Sequence, residues 1–141
     1  MLTYDTEFFY WRRGDTTPLS LRFRCNEFDC HCTNPSCTIG KVSKALINKL
    51  DKCREELERP IQIHSGYRCE ARQQELAAQG YETAKGISQH TLGNAADVSA
   101  DDMGGLLHLL RGEFQAIGVA NTFVHVDLRD DRVRNWSYLS M

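Results

Sequence analysis

Two residues whose side chains commonly bind metal ions, His90 and Asp97, lie seven positions apart in the segment SQHTLGNAAD. Between them stand Gly93 and a pair of alanines, which carry almost no side chain. Glycine adopts positive φ without strain, so the backbone can fold back here and bring both titratable side chains to one point. The segment by itself leaves two interpretations open: a metal site, or a hydrogen-bonded His–Asp pair that caps a loop.

A second pair of the same kind, His125 and Asp127, stands in the segment TFVHVDLR. This segment alternates strictly, which is typical of a strand with one buried face. Its two faces carry Val124, Val126 and Leu128 on one side, and Phe123, His125 and Asp127 on the other. With His90 and Asp97, His125 completes a set of two imidazoles and one carboxylate. Such a set holds catalytic zinc and leaves a fourth position for water.

Four of the six cysteines lie within CNEFDCHCTNPSC, at Cys25, Cys30, Cys32 and Cys37. In a reducing compartment such a cluster indicates a metal site rather than disulfides. The spacing C-x4-C-x-C-x4-C differs, however, from the paired C-x2-C of common zinc sites. A second, structural zinc is the favoured interpretation, with disulfides and buried free thiols as alternatives. Cys53 continues an apolar helical stripe and is interpreted as a core residue.

The elements that position these residues belong to an α+β fold. Helical spacing predicts three helices, in residues 39–60, 70–80 and 103–112, the last capped by Asp101 and Asp102. Alternation and turn residues predict strands in residues 60–66, 94–99, 114–120 and 122–129, with a further short strand in TEFFYW (6–11). We expect a small, mostly antiparallel sheet covered by helices on one side. Residues 81–88 are expected to form a surface loop.

Composition sets limits on the class of protein. A length of 141 residues predicts one domain, 1–141, which includes a cysteine-rich loop at 20–40. The net charge of −2, without a basic run, excludes a nucleic-acid partner, and no apolar run approaches the roughly 20 residues of a membrane helix. The amino-terminal residues do not resemble a secretory signal, so we expect synthesis in the cytoplasm. We also expect a monomer.

Three motifs, in this order and separation, resemble one enzyme family. They are SGYRC (65–69), SQHTLGNAAD (88–97) and FVHVDLR (123–129). The chain resembles the zinc D-Ala-D-Ala carboxypeptidase and L-Ala-D-Glu endopeptidase family over roughly residues 20–137. That family shares its fold with the hedgehog signalling domain, its members cut peptidoglycan stem peptides, and many small ones are phage endolysins. The resemblance implies the hedgehog/D-Ala-D-Ala peptidase-like fold and zinc at His90, Asp97 and His125.

The resemblance also implies roles for residues around the zinc. Arg68 matches the family position that holds substrate near the metal, and a guanidinium fork suits a stem-peptide carboxylate. A structural ion pair is the alternative role for Arg68. Ser88 or a backbone carbonyl would orient His90.

The general base is where the sequence departs from the family. Relatives carry a glutamate three residues before the last zinc histidine, or a histidine two before it, and these positions here hold Thr122 and Phe123. Asp127 is therefore the candidate base. The alternatives for Asp127 are to orient His125 or to pair with Arg68 or Arg129. Small family members often have a tyrosine where this chain has Ala120, which removes one donor to the oxyanion.

These observations predict a zinc metallopeptidase that hydrolyses an amide bond in peptidoglycan stem peptides. A phage or prophage endolysin, released to the cell wall by a holin-type pore or another route, fits best. Thr122, Phe123 and Ala120 favour an alternative, a catalytically inactive zinc-containing binding or structural module such as a phage tail component, whereas Arg68 and Asp127 oppose it. A third reading is a cytoplasmic peptidase acting on dipeptides of D-amino acids. The expected partner is the stem peptide, without nucleic acid or membrane insertion.

Overall fold

A computed structural model describes residues 2–81 and 88–129, and the backbone of 134–137. Most of the loop expected at 81–88 therefore lies outside the described residues. Within them the helices are α1 Lys44–Leu57, α2 Glu70–Ala78 and α3 Met103–Glu113, with a short 3-10 helix at Cys25–Phe28. The strands are β1 Thr3–Tyr4, β2 Phe8–Arg12, β3 Ile39–Ser43, β4 Gln62–Ser65, β5 Ala95–Ser99, β6 Ala116–Val119, β7 Val124–Asp127 and β8 Arg134–Ser137.

A five-stranded sheet in the order β4-β5-β7-β6-β8 forms the centre of the fold. All neighbouring strands run antiparallel except β6 and β8, which are parallel. The register of β5 and β7 pairs Asp97 directly with His125. Since paired residues of neighbouring strands point to the same face, two candidate ligands lie side by side. The predicted α+β class, with helices over a mostly antiparallel sheet, is confirmed.

Alternation along β5 and β7 separates the hydrophobic core from the candidate site. Ala96, Val98, Val124 and Val126 join the same hydrophobic cluster as the buried leucines of α1 and α3, which pack on each other. The intervening residues therefore emerge on the opposite face of the sheet. The fold thus gives one face of the central strands to packing and the other to polar side chains.

A second sheet, β1-β2-β3, was only partly foreseen. The strand expected in TEFFYW is β2, but the helix predicted from residue 39 begins only at Lys44, and Ile39–Ser43 form β3. The predicted start of this helix was wrong. Val42 lies four residues before Leu46, so its position fits both the apolar stripe of a helix and one face of a strand. Pairing with β2 decides between them, since it sets the indole of Trp11 directly against Gly40, where no side chain intervenes.

Helix ends agree better with the sequence. Asp102 caps α3 by accepting a hydrogen bond from the Gly105 amide at 2.9 Å, whereas Asp101 pairs with Arg59 on the surface. The Ser43 hydroxyl accepts from the Leu46 amide at the start of α1, at 3.4 Å. No helix in the described part of the chain is both long enough and apolar enough to cross a bilayer.

Candidate metal centre

His90, Asp97 and His125 converge at one point on the polar face of the sheet. Oδ1 of Asp97 lies 3.3 Å from Nε2 of His90 and 2.9 Å from Nδ1 of His125. The three residues are 3%, 5% and 6% exposed. Their three donor atoms all lie within 4.8 Å of one another. The structure therefore brings together the three side chains that the sequence proposed as ligands.

The nitrogen of each imidazole that points away from Asp97 has its own acceptor. Nδ1 of His90 donates to the carbonyl of Gly66 at 2.7 Å, and Nε2 of His125 faces Oδ2 of Asp127 at 2.8 Å. A carbonyl can only accept, so His90 carries a proton on Nδ1 and turns the lone pair of Nε2 toward Asp97. Partners of this kind fix the tautomer of histidines that bind metals.

The donor set fits zinc. Two imidazole nitrogens and one carboxylate oxygen make up a common catalytic zinc site. Bond lengths of about 2.0–2.2 Å would place tetrahedral donors roughly 3.3–3.6 Å apart. The 3.3 Å between Oδ1 of Asp97 and Nε2 of His90 matches this spacing, and the 2.9 Å to Nδ1 of His125 is somewhat shorter. A lone pair of His90 directed at a carboxylate is also unfavourable unless a cation stands between them. We conclude that these residues are suited to hold a zinc ion.

Arg68 fixes the remaining oxygen of the central carboxylate. Its Nη2 lies 2.7 Å from Oδ2 of Asp97, while Nε donates to Ser65 at 2.8 Å and Nη1 to Gln73 at 3.2 Å. The side chain is only 16% exposed. This is the structural ion pair that the sequence left open, and it leaves Oδ1 of Asp97 to face the two imidazoles. The substrate-holding role implied by the resemblance stays a prediction.

One comparison with known proteins decides the family. The family model of peptidase M15 matches residues 21–127, most of the chain, including the three candidate ligands and Asp127. The chain belongs to the peptidase M15 family. Family membership carries the hedgehog/D-Ala-D-Ala peptidase fold, which the resemblance implied. No curated protein and no solved structure matches the chain.

Asp127 has a different environment from that expected of an M15 general base. Oδ2 contacts Nε2 of His125, and both carboxylate oxygens accept from the Arg129 guanidinium, at 2.9 and 2.7 Å. The Arg129 amide adds a third bond at 3.0 Å, and Asp127 is 1% exposed. This arrangement matches the orienting alternative for Asp127 and its pairing with Arg129. The base role named for it from the sequence stays a prediction that this geometry disfavours.

The charges of the M15 site reinforce one another. Burial opposes ionisation of Asp97, but the charge and hydrogen bonds that His90 and His125 supply when they are protonated outweigh it and hold the pKa of Asp97 well below its usual range. Burial likewise opposes ionisation of Asp127, and hydrogen bonds from His125 and Arg129 outweigh it and lower its pKa. Burial lowers the pKa of His90, which favours the neutral form needed for a ligand.

The loop that carries His90 is built as a tight turn. Gly93 has a φ of 80°, so the expectation of a positive φ there is confirmed. The Ser43 amide donates to the Gly93 carbonyl at 2.8 Å, and a Cβ on Gly93 would lie 3.0 Å from the Lys41 side chain. The Ser88 hydroxyl accepts from the His90 amide at 3.1 Å, so it shapes the loop, and the Gly66 carbonyl orients the ring.

Two glycines contribute to the site without having been singled out in the sequence. Gly66 lies against Phe28, where a Cβ would stand 2.7 Å from the Phe28 backbone, and this close approach aims its carbonyl at His90. Gly118 pairs with His125 across β6 and β7 and adds no side chain to the polar face there. The motif SGYR signalled the first, whereas only the strand register reveals the second.

The cysteines form a cluster, but not the one inferred from their spacing. Sγ atoms of Cys30, Cys32, Cys37 and Cys69 all lie within 4.8 Å of one another. Cys25 is instead fully buried in the hydrophobic core, as is Cys53, which was expected there. Inclusion of Cys25 was therefore a mistake, because the fourth member comes from a distant part of the chain.

The cysteine cluster contains a thiol that ionises readily. Burial raises the pKa of Cys32, but hydrogen bonds with the Asn34 backbone and with Cys69 outweigh it and lower that pKa to about 7. A thiolate is the form of cysteine that binds metals. The loop 20–40 therefore brings a thiol of lowered pKa close to Cys69, the residue before α2.

Proposed function

We propose that this M15 protein is a zinc peptidase that hydrolyses an amide bond in bacterial peptidoglycan stem peptides. One observation carries the proposal. Three ligand atoms of His90, Asp97 and His125 converge, and every polar atom behind them is held by a further group. Such a supporting shell is typical of a working metal site rather than of incidental hydrogen bonds.

The chain's own residues do the positioning in this proposal. A zinc ion bound by the three ligands supplies a Lewis acid for the scissile carbonyl and lowers the pKa of water. Asp127 holds the Nε2 proton of His125, so that Nδ1 keeps its lone pair for the metal. Arg68 holds one oxygen of Asp97 in the same way.

Peptidoglycan is proposed as the substrate because members of the family that the motifs resemble cut its stem peptides. A phage or prophage endolysin is the role that best fits a small peptidase of this kind. Arg68 would meet a stem-peptide carboxylate only by sharing its guanidinium with Asp97. We therefore treat it first as a positioning residue and second as a substrate contact.

Digestion of purified peptidoglycan tests the proposal directly. The zinc-loaded protein is expected to release fragments that mass spectrometry identifies, and a chelator should abolish their release. Free D-alanine would identify a carboxypeptidase, and split stem peptides an endopeptidase. Asp97→Asn should remove activity, whereas the matched control Asp101→Asn, four residues further on and paired with Arg59 at the surface, should retain it. Absence of cleavage by protein with its zinc bound would refute the proposal.

A second candidate function has support from one specific contact. Both oxygens of Asp127 are engaged by His125 and Arg129, and Thr122 and Phe123 occupy the places where relatives carry a proton acceptor. A module that keeps its zinc and binds the cell wall without cutting it would have this arrangement. Co-sedimentation of the zinc-loaded protein with intact peptidoglycan, without release of fragments, would identify it.

A further inference from the structure

We propose that Cys30, Cys32, Cys37 and Cys69 bind a second, structural zinc ion. The site lies outside the peptidase centre and its argument does not depend on the proposed activity. Three of its ligands come from the loop before β3, and the fourth is the residue that precedes α2. The chemical class is a tetrathiolate site, which zinc occupies in many small structural modules.

The sulfur positions suit a metal better than a disulfide. A tetrahedral zinc site with Zn–S bonds of about 2.3 Å places its sulfur atoms about 3.8 Å apart. The four Sγ atoms here all lie within 4.8 Å of one another, and Sγ of Cys30 is 3.6 Å from Sγ of Cys69. A disulfide would need about 2.05 Å and would join the cysteines only in pairs. Mutual proximity of all four is the arrangement that one ion requires.

Hydrophobic packing does not explain the cluster either. Cys25 and Cys53 are fully buried within the main hydrophobic cluster and behave as small apolar residues. Cys30 and Cys32 are also buried, at 2% and 4% exposure, but they lie outside that cluster. Their hydrogen bonds are with another thiol, a guanidinium and backbone groups. The two groups of cysteines in this chain therefore differ in surroundings, and only one has the composition of a metal site.

The groups around the sulfur atoms match the charge of such a site. Zinc with four thiolates carries a net charge of −2, which buried surroundings must offset. The guanidinium of Arg13 donates to Sγ of Cys32 at 3.6 Å and to the carbonyls of Cys32 and Cys37 at 2.8 and 3.4 Å. The amide of Cys69 donates to Sγ of Cys30 at 3.3 Å. A cation and an N–H directed at sulfur are the outer contacts that stabilise bound thiolates.

The proposed ion would connect two segments that the peptidase centre needs. Cys69 directly follows Arg68, whose guanidinium holds Asp97, and Gly66 orients His90 three residues earlier. The loop of residues 30–37 has a second link to α2, through Glu75, which accepts from both the amide and the hydroxyl of Thr33 at 3.1 Å. Tetrathiolate zinc would therefore fix the segment 66–69 from one side while the sheet fixes it from the other.

Metal content of the full-length protein tests the inference. Protein prepared with Zn²⁺ under reducing conditions should hold two zinc ions per chain. Asp97→Asn, which removes a ligand only from the peptidase centre, should hold one. After replacement of zinc by Co²⁺, both proteins should show the absorption of thiolate-to-cobalt charge transfer, which imidazole and carboxylate ligands do not produce.

Two further variants locate the ion. Cys37→Ser alters a half-buried cysteine of the cluster and should lose one zinc together with the charge-transfer absorption. Cys53→Ser, a buried control outside the cluster, should keep both. An Asp97→Asn protein without zinc, a cobalt spectrum without the thiolate absorption, iron in place of zinc, or a disulfide among the four cysteines of freshly purified protein would each overturn the inference. The zinc content and the cobalt spectrum of the Asp97→Asn protein test the inference even if Cys37→Ser fails to fold.

Discussion

Replacement of Asp127 by asparagine separates the two roles that a carboxylate beside His125 can have. The substitution preserves the size of the side chain but removes its charge and one of its two acceptor oxygens. In the structure Oδ2 serves His125 at 2.8 Å, and Oδ1 and Oδ2 together serve Arg129. The neutral amide oxygen accepts more weakly than a carboxylate oxygen, and the NH2 group that replaces Oδ1 can no longer accept from Arg129, so His125 loses part of the support that fixes its ring.

The size of the effect follows from the hydrogen bond that changes. A bond to a charged group contributes about 1.5–3 kcal/mol, and a neutral one about 0.5–1.5 kcal/mol. The difference of roughly 1–1.5 kcal/mol corresponds to about tenfold in zinc affinity. This lies at the lower end of the 10- to 100-fold range found for such outer contacts. Asp127→Ala, which removes the acceptor altogether, should reach about 100-fold.

Zinc affinity is measured by competition with a chelator of known affinity, and turnover is then measured at zinc concentrations that saturate each variant. Asp127→Asn should need more zinc but recover much of its turnover once loaded. Asp101→Asn, which removes a surface carboxylate paired with Arg59, should match the unmodified protein in both measurements. An Asp127→Asn protein with unchanged zinc affinity and no turnover would refute the orienting role and establish Asp127 as the base.

Three other predictions follow from the same contacts. Arg68→Lys keeps the charge but cannot make the hydrogen bonds to Ser65, Gln73 and Asp97 together, so it should weaken zinc binding about tenfold. A raised KM with unchanged zinc affinity would instead show that Arg68 contacts the substrate. Gly66→Ala would set a Cβ 2.7 Å from the Phe28 backbone and should lower the free energy of unfolding by about 1–3 kcal/mol in urea titrations. Asp102→Ala removes the cap of α3 and should cost about 1 kcal/mol without altering zinc binding.

Each of these has a clear contrary result. A Gly66→Ala protein of unchanged stability would mean that the segment after β4 and Phe28 shift apart at no cost, against the close packing of the two. Weakened zinc binding in Asp102→Ala would mean that the end of α3 supports the metal centre, which its position on the far side of β5 does not predict.

The metal ligands were accessible from sequence because their signals are local. TFVHVDLR alternates without interruption, so the face that carries His125 is set by the face that packs in the core. SQHTLGNAAD combines a turn glycine with two ligand types, and the register of β5 and β7 then places Asp97 beside His125. Strand period and turn chemistry act over a few residues, so a pattern in the sequence can report them.

What the sequence did not reveal depends on contacts between distant residues. Cys69 replaces Cys25 in the cysteine cluster although it lies 39 positions from Cys30, and no spacing rule connects them. Val42 fits a helical stripe, yet pairing with β2 makes it part of a strand. The partner of Asp127 was left open for a different, local reason, since Arg129 is only two residues away and reaches it through the backbone conformation after β7.

The turn at Gly93 has a consequence for any attempt to move this site into another protein. Its carbonyl accepts from the Ser43 amide, and a Cβ at this position would lie 3.0 Å from the Lys41 side chain. The three-stranded sheet therefore supports the loop that carries His90 to the polar face of the five-stranded sheet. Transplanting SQHTLGNAAD alone would carry two ligands without the surface on which their loop rests. A segment transferred to another protein would also have to include β3 and the carbonyl of Gly66. Such a segment is several times longer than the SQHTLGNAAD motif.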